Sequence, residues 1–238
     1  MNISDIFARG GIAMYPLLLL SFMSLSVIIE RVWFWSKILT REREISGRVI
    51  EAARREWVAA ADIASRATDQ PIGRFLNSAL ELQSPDPEVF KLALEASAEE
   101  ELASMRRGDK ILEATIAIAP LLGLLGTVLG LIGSLSSIRL GDIGTSATGE
   151  VTLGISEALI STATGLIVAI ISLAFYRTFQ GLLAGQVKLF QRSGNDLELL
   201  YRSDWAIGKR PLGNNFKPGM LPASDVATDA PPPVPDPQ

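Results

Sequence analysis

The chain is predicted to be an all-α membrane protein, with three transmembrane helices and a long cytoplasmic helical extension. Two observations carry that prediction. Residues 10–29 and 114–138 contain no charged side chain, and residues 151–176 contain one, Glu157. About 20 apolar residues cross roughly 30 Å of hydrocarbon as a helix, so each run is long enough to span. The second observation is segregation. Charged residues are only 20% of the 238-residue chain, and they collect between and after the apolar runs, where water-facing segments belong.

The elements follow in order. Residues 1–10 form a short segment outside the membrane. Ile3, Ile6 and Phe7 fall at helical spacing there, which suits an interfacial helix, with a frayed terminus as the alternative. Asp5 and Arg9 deny this segment the basic start of a signal peptide, so the first run is expected to be a true span. Span one covers 11–35 and closes on Glu30, Arg31, Trp33, Phe34 and Trp35. Indole rings favour the headgroup level, and Tyr15 suits the opposite one.

Residues 36–110 form a polar helical domain. Lys37, Arg41, Arg43, Arg48, Arg54 and Arg55 follow span one closely, and the excess of basic residues in cytoplasmic loops places this domain in the cytoplasm. Ile45, Val49, Ala52, Ala53 and Trp57 are expected on one helical face. Breaks are expected at Gln70-Pro71 and at Ser84-Pro85-Asp86-Pro87, where Asp86 suits an N-cap and Pro87 the first helical position. From Pro87 to Ser137 only Pro120 interrupts the pattern. One unbroken helix of about 50 residues, roughly 75 Å long, is therefore expected, kinked at Pro120.

Span two covers 111–137, an outer loop 138–150 and span three 151–176. A cytoplasmic helix over 177–210 carries Arg177, Lys188, Arg192 and Arg202. These basic residues agree with the first set, so the N-terminus is expected outside and the C-terminus inside. Residues 211–238 hold eight of the 13 prolines and are expected to be a disordered tail.

Composition excludes several chemistries. The chain has no Cys and no His. A thiolate nucleophile, an iron–sulfur cluster, a zinc ribbon and a histidine base are therefore excluded. A net charge of −4 gives no footprint for nucleic acid. The glycines of span two lack the GK[ST] of a phosphate loop. A serine protease built on Ser161 would need a His or Lys partner, and no span has either. The run Glu99-Glu100-Glu101 reads as a solvated helix face. No metal site, cofactor or enzymatic activity is expected.

Glu157 is the sharpest signal. A carboxylate inside a span costs several kcal/mol unless it is protonated, paired or hydrated, and desolvation raises its pKa towards physiological pH. It reads as a proton carrier, with a structural carboxyl near the outer interface as the alternative. Gly154, Glu157, Ser161, Thr164 and Gly165 recur at i+3 and i+4 steps, so they share a face, with Thr162 beside it. Span two matches: Gly123, Gly126, Gly130, Gly133 and Ser137 form a second stripe, with Thr127 and Ser134 alongside. Such stripes let helix backbones approach closely. Thr127 is the candidate to hydrogen-bond across to Glu157 or to pore water.

The segments MYPLLLLSFMSLSVIIERVWFW, APLLGLLGTVLGLIGS and GISEALISTATGLIVAI resemble the ExbB/TolQ/MotA family of proton-channel proteins, ExbB most and TolQ next. The resemblance covers roughly residues 5–200, and GISEALISTATGL paired with GLLGTVLG is highly specific. It implies a ring of five copies in the bacterial inner membrane around the single spans of an ExbD- or TolR-like partner that carries a membrane Asp. Proton flow there is coupled to a TonB- or TolA-like protein. The family's membrane Glu falls on Glu157, its span-two Thr on Thr127 and its span-three Thr on Thr162. Ile171 stands where the family often has a Pro, which removes the residue that would kink the lower part of span three. The implied function is energy coupling for TonB-dependent transport. The alternatives are a TolQ-like subunit of the Tol-Pal system, a MotA-type stator, which usually has four spans, and a non-conducting membrane scaffold.

Overall fold

The computed structural model describes residues 12–137, 145–209 and 211–212, without the side chains of residues 137, 145–151, 153 and 157. The expected segment 1–10 and most of the expected loop 138–150 and tail 211–238 lie outside the described residues. Within them, all regular structure is helical: α1 (Met14–Ile38), α2 (Glu42–Ala53), α3 (Trp57–Arg66), α4 (Pro71–Leu80), α5 (Pro87–Met105), α6 (Asp109–Ser137) and α7 (Thr145–Ala206). The helical stretches Met14–Ala53, Pro87–Ser136 and Gly154–Ala206 are each long and apolar enough to cross a membrane. The chain divides into two units, Met1–Arg43 with Ala96–Arg192, and Glu44–Glu95 with Ser193–Gln238.

In the first unit, Met14 and Leu17 of α1 pack with Ala119 of α6 and Ala169 of α7 in one buried cluster. Ser24 and Ser172 share a hydrogen bond of 2.6 Å between α1 and α7. Large apolar side chains elsewhere on these helices, including Leu19, Phe22, Leu121, Leu135, Leu159 and Ile170, are exposed. In water such a surface would seek a partner; in a bilayer it faces hydrocarbon at no cost.

The expectation of an unbroken helix over 87–137 is corrected. The helix ends at Met105 and resumes at Asp109, with a turn over 106–108. Gly108 has φ +86°, a conformation that costs a residue bearing a Cβ about 1–2 kcal/mol. A methyl group there would also lie 2.7 Å from Val27 Cγ1 of α1. Gly108→Ala should therefore lower the stability of the detergent-solubilised protein by at least that amount, read as a fall in thermal midpoint. An unchanged midpoint would show that the elbow is not held in this geometry. Pro120 sits inside α6 without ending it.

The second unit buries Val49, Ala53, Trp57, Ala60, Phe75, Leu76, Phe90, Leu197 and Tyr201. Phe90 and Tyr201 stack at 4.1 Å between ring centroids, and Trp57 meets both edge-on. The polar atoms of these rings are satisfied: Trp57 Nε1 donates to Asp204 at 2.8 Å and the Tyr201 hydroxyl to the Pro85 carbonyl at 2.6 Å. At the surface Arg202 donates to Glu198 and Glu88, which hold its pKa above the ordinary value.

Both expected breaks are present. Helix α4 opens at Pro71 after an extended Gln70. Helix α5 opens at Pro87, and the Asp86 carbonyl accepts the first helical bond, from Phe90 N at 2.9 Å. Three expectations are corrected. The face running from Ile45 to Trp57 is split between two helices, because α2 ends at Ala53 and Trp57 opens α3; the buried stripe of the α2 helix is Glu42, Ser46, Val49 and Ala53. Helix α7 has already begun at Thr145, inside the expected outer loop. The start of the expected tail is packed: Leu212 is fully buried, and its carbonyl accepts from both Ser84 N (2.6 Å) and Ser84 Oγ (2.8 Å).

Candidate functional site

The site is built where α6 and α7 run against each other within the first unit. Glycine creates that approach. A methyl group at Gly123 would lie 3.0 Å from the Thr162 Cα, and at Gly126 1.9 Å from Ser161 Oγ and 2.6 Å from its Cβ. At Gly130 it would meet the Gly154 carbonyl oxygen at 2.9 Å, at Gly154 Ser134 Oγ at 1.9 Å, and at Gly165 the Ala119 carbonyl oxygen at 2.5 Å. Bare positions therefore allow this approach: the neighbour is backbone at Gly123, Gly130 and Gly165 and a serine side chain at Gly126 and Gly154. Gly133 differs from the rest of the expected stripe: a methyl group there would meet no described atom within 4 Å.

The hydroxyls are arranged on this seam. Thr162 Oγ1 donates across it to the Gly123 carbonyl at 2.9 Å, which is possible because a carbonyl oxygen has two lone pairs. Thr127 donates to the Leu124 carbonyl of its own helix at 2.6 Å. Ser134 donates to Gly130 and Thr164 to Ile160. Ser161 is fully buried and its hydroxyl has no partner among the described residues. Glu157 stands on the same helix one turn before Ser161, so the two residues share a face. Its side chain is not among those described, so the expected Thr127–Glu157 pairing lies outside the described residues. The described geometry thus brings Gly123, Gly126, Gly130, Gly154, Ser161, Thr162 and Gly165 together along one seam, beside Thr127.

A second polar group lies at the end of the α6–α7 pair where α6 begins. Gln180 Nε2 donates to Asp109 Oδ2 at 2.8 Å, and the Tyr176 hydroxyl donates to Glu113. Arg31 of α1 reaches the elbow and donates to the Met105 carbonyl, the last of α5, at 3.1 Å. A cation suits the negative end of a helix. Arg31 is only 2% exposed, its charge lies in the field of Asp109, and the Phe34 ring covers it at 5.1 Å. In the sequence Arg31 stands only as part of the polar end of span one, which does not reveal this role. The signal was a charge one turn before Trp35 on the same helical face.

The fold and site thus define a helical membrane protein of three spans, the second and third meeting on a glycine seam, with a lone carboxyl-bearing residue in the third. The comparisons specify it. The model of the MotA/TolQ/ExbB proton channel family matches residues 67–192. The Synechocystis biopolymer transport protein ExbB-like 1 is 46% identical over 224 residues, which are 94% of this chain and 86% of that protein. ExbB-like 3 of the same organism is 40% identical over 193 residues, 81% of this chain and 92% of the relative. The ExbB biopolymer transport protein of Xanthomonas campestris is 34% identical over 110 residues, 46% of this chain and 43% of that one. The chain belongs to the MotA/TolQ/ExbB proton channel family and is a multi-pass membrane protein.

Proposed function

We propose that this chain is the proton-channel subunit of an inner-membrane motor of the ExbB type. It couples the proton motive force to TonB-dependent transport across the outer membrane. One observation carries the reading: Glu157, the only charged residue of its span, shares a face of α7 with Ser161, and Ser161 and Thr162 pack against Gly126 and Gly123 of α6. Glu157 takes up and releases the proton, and Thr127, Ser161 and Thr162 serve the path beside it. The chain works as a ring, expected to be a pentamer, around an ExbD-like single-span partner whose membrane Asp completes the relay. The moving partner acts on a TonB-like protein. The N-terminus lies in the periplasm, and the helices carrying the basic residues after spans one and three lie in the cytoplasm. A proton crossing 100 mV supplies about 2.3 kcal/mol, several times the thermal energy, so a few protons per step suffice for mechanical work. The test is proton flux into vesicles that contain the chain and its partner, with wild type and Glu157→Gln compared.

A further inference from the structure

A serine or threonine inside a helix usually returns its hydroxyl to a carbonyl three or four residues earlier. Thr127, Ser134 and Thr164 do so, and Thr162 bonds across the seam instead. Ser161 does neither. It is buried to 0% exposure and its hydroxyl is uncommitted among the described residues. Packing fixes its position, since Gly126 leaves room for Ser161 Oγ where even a methyl group would collide. Leaving a hydroxyl buried and unpaired is unfavourable, and the residue one turn back on the same face is Glu157.

We infer that Ser161 is a positioning residue for Glu157, whose carboxylate receives the Ser161 hydroxyl hydrogen once the proton has left. The inference rests on the proton-carrier reading of Glu157 and adds to it. A hydrogen bond to an ionised acceptor is stronger than one to a neutral group, so the uncommitted hydroxyl favours the deprotonated carboxyl. Desolvation within the span acts the other way and favours the protonated form. Ser161 opposes it, and keeps the proton releasable rather than permanently held. Beside the proposed partner's membrane Asp, few groups of this chain act on this balance. Residues 119–134 of α6 contain no ionisable side chain, and Glu157 is the only one over 154–170 of α7. Over residues 12–28 of α1 the sole titratable group is Tyr15, which is 75% exposed.

The experiment is an infrared pH titration of the chain with its partner in phospholipid vesicles. The protonated-carboxyl band that disappears in Glu157→Gln is assigned to Glu157. In Ser161→Ala the midpoint of that band should rise by about one pH unit, a tenfold gain in proton affinity. Ser161→Cys keeps the shape but donates weakly and should fall between; if the alanine variant does not assemble, the cysteine variant decides alone. Thr115→Val removes a buried hydroxyl already bonded to Ile111 and should leave the midpoint in place. An unmoved or lowered midpoint in the Ser161 variants overturns the inference while the proton-carrier reading stands. If Glu157→Gln removes no band, both fall.

Discussion

Glu157→Gln is expected to reduce proton flux to the level of empty vesicles while the complex stays assembled. Glutamine keeps the volume and hydrogen-bonding capacity of a carboxylic acid but has no proton to exchange. A structural carboxyl would tolerate the change, and a titrating one would not. Assembly should survive because the seam does not depend on the charge. It is held by backbone approach at Gly123, Gly130 and Gly165, by the Thr162–Gly123 bond, and by the buried contacts of Met14 and Leu17 with Ala119 and Ala169. Size-exclusion chromatography of the complex separates the two effects. Flux equal to wild type in an intact complex would make Glu157 a structural residue and leave the chain a non-conducting scaffold.

The parts of this fold that were legible in the sequence are those set by one-dimensional rules. Three apolar runs, two without charge and one with Glu157 alone, became three helices long enough to span, because hydrocarbon demands continuity of apolar residues. Pro71 and Pro87 opened helices because proline lacks the N–H that a first turn leaves unused. What was missed depends on three dimensions or on weak local signals. Residues 54–56 interrupt two helices with Arg-Arg-Glu, three residues that form helix readily; packing of Trp57 against Phe90 and Tyr201 accompanies that break. The elbow at 106–108 had a readable sign in Gly108-Asp109, a C-terminal glycine before an acidic first turn, but helical periodicity on either side hid it. Among the site residues, the two glycine stripes could be read from spacing, yet spacing could not show where the seam ends. Gly133 continues the stripe, yet a methyl group there would meet no described atom within 4 Å. Nor could it distinguish Ser161, whose hydroxyl is uncommitted, from Thr164, whose hydroxyl returns to its own helix.

That difference between stripe and seam sets up the second large effect. Gly165→Ala should destabilise the chain strongly, and Gly133→Ala should not. A methyl group at 165 would sit 2.5 Å from the carbonyl oxygen of Ala119 and 3.2 Å from the Cα of Gly123. Both neighbours are backbone, so no side chain can swing aside, and the helices themselves must part. Ala119 is fully buried and belongs to the cluster that joins α6 to Met14 and Leu17 of α1, so the displacement is resisted from both sides. Overpacking of this kind costs about 1–3 kcal/mol and occasionally more. The Thr162–Gly123 hydrogen bond, less than one turn away from Gly165 on α7, would lengthen as the backbones separate. At Gly133 the methyl group meets open space, and replacing glycine in a helix interior with alanine gains about 0.5–1 kcal/mol. The pair therefore moves in opposite directions: a lower thermal midpoint and lost flux for Gly165→Ala, an equal or higher midpoint with flux retained for Gly133→Ala. Equal midpoints for the two variants would mean that α6 and α7 are not in backbone contact at Gly165, and the close seam that brings Ser161 and Thr162 against α6 would have to be abandoned with it.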